Sequence, residues 1–84
     1  MTGIITAFIE SELHAAGVMA QDALSAVKNG NVADARECMR KARLCFVTAM
    51  LHVRDGQAHN TTDFPEADVL DDQLREIEQL IEVI

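Results

Sequence analysis

Four sets of side chains in this sequence have types and spacings that could do chemistry: two thiols, a carboxylate beside an imidazole, a row of guanidinium groups and a strip of carboxylates. The thiols are Cys38 and Cys45, seven positions apart in a stretch that reads as one helix. Helical rise separates their Cα atoms by about 10 Å, beyond the roughly 7 Å that a bridge tolerates. Arg36 and Lys41 near Cys38 are of the kind that activates a thiol, but no histidine is close in sequence to act as its base. Both are expected to be reduced, buried core residues of a cytoplasmic protein.

Glu10 and His14 stand four apart, so they share a helical face. That spacing suits an exposed ion pair far more often than a two-ligand metal site. His52 closes an apolar run and His59 falls in a polar stretch, each without a companion at ligand spacing. No zinc-ligand pattern, Gly-rich phosphate loop or Ser-His-Asp signature is present. No cofactor, metal or catalytic residue is therefore expected, and the chain reads as a non-enzyme. With no Trp or Tyr and three Phe, it also lacks material for base-stacking platforms or an aromatic-lined pocket.

Arg36, Arg40 and Arg43 follow three- and four-residue spacing and could grip a phosphate or carboxylate together, with Arg54 further along. The competing expectation is that they pair with acids of the same chain. Those acids are concentrated: the formal charge is −7, and residues 63–84 hold eight carboxylates against the single base Arg75. Such a balance disfavours binding to a nucleic-acid duplex, which needs a dominant basic face. The strip is expected either to be a solvated helix face or to dock on a basic protein surface.

These groups must be positioned by helices. Ile5, Ile9, Leu13, Ala16, Ala20, Leu24 and Val27 mark one face of a helix over 3–28, widened by Phe8, Val18 and Met19. Gly17 in its middle predicts a close helix contact or a kink. Asn29 and Gly30 supply a stop, and Asn31 with Asp34 a start, for a second helix over 32–54. That helix carries a small stripe (Ala35, Cys38, Ala42, Cys45, Ala49) and a bulky one (Met39, Phe46, Met50, Val53). It is apolar nearly all round from Leu44 to Val53, which predicts burial on more than one side.

Residues 57–64 read as a polar linker, and Asp63, Pro65 and Glu66 as the start of a third helix over 65–83. Leu70, Leu74, Ile77, Ile81 and Ile84 form a coiled-coil-like seam along it. The expectation is an all-α, single-domain chain over residues 1–84: an antiparallel helical hairpin plus a third amphipathic helix, a three-helix bundle assembled into an oligomer. Glu10 and Glu12 interrupt the first apolar stretch and no basic region precedes it, so neither a signal peptide nor a membrane span is expected.

The function expected from these residues is a small acidic protein-interaction module of adaptor, anti-activator or inhibitor type, of the kind phages and plasmids encode. Its candidate partner-binding residues are Asp68, Asp71, Asp72, Glu76 and Glu78 on the acidic helix and Phe46, Val47, Met50 and Leu51 on the apolar one. The alternative is a homo-oligomer that binds or sequesters a small anionic ligand such as a nucleotide in an inter-subunit cleft lined by Arg36, Arg40, Arg43 and Arg54.

Overall fold

Two asparagines around a glycine decide where the first helix ends and the second begins. Gly30 takes a left-handed backbone, with φ of 77°. Its N–H donates to the Val27 carbonyl at 3.0 Å, and the Asn31 N–H donates to the Ala26 carbonyl at 2.8 Å. This is the Schellman arrangement, in which otherwise orphaned carbonyls at a helix end are satisfied. Asn31 then caps the next helix: its Oδ1 accepts the Asp34 N–H at 3.3 Å and its Nδ2 donates to the Asp34 carboxylate at 2.7 Å.

The computed structural model describes the backbone of residues 2–54 and 64–83 and the side chains of residues 6–53 and 64–83. Within them are three helices, α1 (Thr2–Lys28), α2 (Val32–Arg54) and α3 (Pro65–Val83), and no strand. The chain is an all-α three-helix bundle, measuring 44 × 17 × 16 Å. The helix boundaries fall within a residue of those the caps and periodicity predict. Gly56, which the sequence offers as the stop of the second helix, His59, the start at Asp63 and the end of the seam at Ile84 lie outside the described residues, as does the side chain of Ile5.

The contact between α1 and α2 is the most extensive of the three. Alanines make it close: Ala16, Ala20 and Ala23 of α1 and Ala35, Ala42 and Ala49 of α2 are all sealed from solvent. Small side chains let two helix backbones approach, and each buried methyl adds apolar area removed from water. The α1 stripe differs by one place from the expected one, because Ala23 lies at its centre and Leu24 is half-buried beside it.

α3 lays Ala67, Leu70, Leu74, Ile77 and Ile81 into the groove of this hairpin. It runs parallel to α1 and antiparallel to α2. Glu66, Val69 and Gln73 border the same groove as Glu10, Leu13 and Gly17, while Ile81 and Glu82 flank Arg36 and Met39.

Three expectations are corrected. Phe64, read as part of a polar linker, is 2% exposed, and its carbonyl accepts the Ala67 N–H at 3.0 Å; it is the apolar anchor that begins α3. Gly17 makes no close contact, for a Cβ built there would meet nothing within 4 Å, and α1 runs through it as one helix. Finally, α2 is covered on more than one side, by α1 and by α3, as its apolar run predicts, but that run is not buried throughout. Leu44, Val47 and Leu51 stay exposed because only α1 and α3 pack on it.

Candidate functional site

The guanidinium row splits once it is placed in three dimensions. Arg43, the most buried of the three, reaches α3: Nη1 donates to Asp71 Oδ1 at 3.0 Å, and Nη2 and Nε to Glu78 Oε1 at 2.8 and 3.3 Å. Its planar head also lies 5.7 Å from the centre of the Phe46 ring. The Glu78 hydrogen bond, with help from Asp71, raises the Arg43 pKa further, against the opposing effect of partial burial. Arg75 joins the group from the next turn of α3, 3.2 Å from Asp71 Oδ2.

Arg40 turns instead to its own helix. Its Nη2 donates to Glu37 Oε1 at 2.7 Å and its Nε to Glu37 Oε2 at 3.3 Å. The hydrogen bond and charge of Arg40 hold the Glu37 carboxyl below its ordinary range, but both side chains are exposed, where such pairs contribute little. Arg36 is exposed and makes no ion pair among the described residues. The three arginines do border a common groove of about 260 Å³, but its opposite wall is Glu78, Ile81 and Glu82. The side chain of Arg54 lies outside the described residues.

The acidic strip divides in the same way. Asp71 and Glu78 face the hairpin and are engaged by Arg43. Asp68, Asp72 and Glu76 are exposed and have no ion-pair partner among the described residues. They stand beside exposed Val69, Leu80 and Val83, so this outer side of α3 is mixed in character.

The apolar candidates also separate. Phe46 is 8% exposed and belongs to the core, where Arg43 covers it, and Met50 is half-buried against the same core. The angular width of an α-helix explains the difference: Phe46 and Met50 point toward the α1–α3 side, whereas Val47 and Leu51 point out. Leu44, not singled out from the sequence, is 61% exposed and completes an outward row of Leu44, Val47 and Leu51 at three- and four-residue spacing. That spacing was the available signal, and it was masked by the equally apolar neighbours.

The row continues across to α1. Ala15, Val18 and Met19 of α1 and Lys41, Leu44 and Cys45 of α2 line a hollow of about 440 Å³ on the side of the hairpin that α3 leaves open. At the end of α2 the exposed Phe8 ring meets His52, with centroids 4.8 Å apart and planes at 54°. The His52 Nδ1–H donates to the Thr48 carbonyl at 2.9 Å, and the Thr48 hydroxyl to the Leu44 carbonyl at 2.8 Å. Both polar side chains are thereby tied to their own helix, so the charged groups at the hollow are Lys41 at its rim and Glu12 beside Cys45.

Both cysteines are free and half-buried. Burial pushes the Cys45 thiol up, and the Glu12 carboxylate adds to the effect, which disfavours the reactive thiolate. Glu10 and His14 line a groove of about 420 Å³ between α1 and α3, but they form no ion pair among the described residues, contrary to the pairing their spacing suggests. No group of three or more His, Cys, Asp or Glu side chains suited to a metal ion occurs among the described residues, and no described helix is long and apolar enough to cross a membrane. No protein-family model, curated protein or solved structure matches this chain.

Proposed function

We propose that this chain is a non-catalytic helical interaction module that binds another protein through the open side of its α1–α2 hairpin. One observation carries the reading: Val18 and Leu44 rim an apolar hollow, floored by Ala15, Met19 and Cys45, that α3 does not cover. Contiguous exposed apolar surface of this kind marks protein contact sites, because water gains when it is released from such a surface. Asp68, Asp72 and Glu76, without an ion-pair partner among the described residues, carry their negative charge on the outer side of α3, away from this hollow. An adaptor or inhibitor role working in the cytoplasm fits these features, the latter with the two free thiols.

The alternative of an anionic ligand among the arginines draws less support. Arg40 and Arg43 already have carboxylates at hydrogen-bond distance, and Glu78 and Glu82 form the far wall of their groove. A phosphate entering there would displace an internal ion pair and meet negative charge.

Photo-crosslinking side chains placed at position 18 or 44 in the expressing cell test the proposal. Protein adducts are expected from both positions and not from position 79 on α3. Absence of adducts at 18 and 44, with adducts only on α3, would move the site to the acidic helix. A thermal-shift series with nucleotides and inorganic phosphate is expected to leave the melting temperature unchanged; a rise that grows with ligand concentration would favour the arginine groove instead.

A further inference from the structure

We infer that the occupant of the open hairpin side is a second copy of this chain, related by a two-fold axis that runs along the hairpin, so that the two α1–α2 pairs form a four-helix core with each α3 outside. This names the partner of the surface proposed above and rests on that reading.

Charge decides which side of the molecule can face its own copy. On the outer side of α3 Asp68, Asp72 and Glu76 outnumber Arg75, itself drawn to Asp71, and two such surfaces brought together would set mostly like charges against each other. The open hairpin side has both signs. Lys41 stands at the rim of the hollow level with Val18 and Met19, it makes no ion pair among the described residues, and the exposed Asp22 lies one helical turn further along α1. A two-fold axis parallel to the helices keeps each residue at its own height while laying α1 over α2 of the other copy. Lys41 of each copy is thereby brought within reach of Asp22 of the other, twice by symmetry.

Area agrees with this assignment. α2 has 23 residues and so extends roughly 34 Å, and the molecule is 17 Å across. A contact over the whole of that face covers up to about 600 Å² per copy, so full use of it reaches the lower bound of about 1,200 Å² in total for stable interfaces. The ridges of Val18 and Leu44 on either side of the hollow give each copy both a knob and a recess, the arrangement by which antiparallel hairpins pack into four-helix bundles.

Sedimentation equilibrium of the full chain over a concentration series tests the inference. The wild type is expected at twice the chain mass of 9.2 kDa. Leu44→Glu is expected to weaken self-association by on the order of a hundredfold with helical content retained, since it puts an unpaired charge at a buried apolar contact. Lys41→Asp is expected to weaken it about tenfold, and the combination with Asp22→Lys to restore it. The same measurement on Leu80→Glu should give the wild-type mass.

A wild type that stays monomeric throughout, loss of the dimer with Leu80→Glu rather than Leu44→Glu, or failure of the charge exchange to restore it would each overturn the inference. Adducts from position 44 with a different protein, alongside a monomeric chain, would sink the second copy and leave the docking surface standing. No adducts and no change of mass would remove both.

Discussion

Arg43 is the residue through which α3 is held electrostatically, with carboxylates from two turns of that helix on one guanidinium. Arg43→Met keeps much of the apolar stem over Phe46 while removing both pairs. It is expected to cost roughly 1 kcal/mol at low salt and less as salt is raised, because the groups are only partly shielded. Urea denaturation at two ionic strengths reads this directly. Gly17 makes the opposite case: with open space where its Cβ would be and helical backbone on both sides, Gly17→Ala should raise stability by about 1 kcal/mol. A fall would show that α1 needs the glycine for a contact absent from the isolated chain. Periodicity placed Arg36, Arg40 and Arg43 on one side of α2, and that much was legible in the sequence. Which arginine meets α3 and which turns to Glu37 depends on the height at which α3 docks, and no local pattern encodes that.

Each helix was legible to a different depth. The seam of α3 holds three- and four-residue spacing with mostly polar residues between, so its buried side could be read at once from Leu70, Leu74, Ile77 and Ile81. α2 was ambiguous, since Leu44, Phe46, Val47, Met50 and Leu51 are all apolar and only the positions of α1 and α3 separate the buried from the exposed. Phe64 was missed because its neighbours are polar and a single aromatic residue has no periodicity. Two truncations in α3 test the division between its sides. Leu74→Ala, at a fully buried position, is expected to cost about 3 kcal/mol, whereas Leu80→Ala on the outer side should stay within about 0.5 kcal/mol. Comparable losses from the two, measured by denaturant midpoint, would mean that the outer side of α3 is also covered in solution.

For the molecule as a whole, burial and charge are laid out around different axes. The close Ala-lined contact gives the hairpin its rigidity, α3 closes one side of it, and the negative charge is carried outward on α3. What the sequence alone could not supply was the identity of the uncovered side, because that follows from a three-helix geometry with one side left over. The Gly30 turn has a kinetic consequence as well. Because the whole α1–α2 contact is reached by closing a short turn, its residues meet with little loss of chain entropy, whereas α3 must be brought in across a longer connection. The hairpin is thus expected to be largely formed in the folding transition state. Gly30→Ala, forced into a left-handed backbone at a cost of about 1 kcal/mol, should then slow refolding by roughly fivefold and leave the unfolding rate nearly unchanged in stopped-flow measurements. A mutant whose unfolding accelerates instead would mean that the chain commits to folding before this turn is made, with α3 and its seam leading the way.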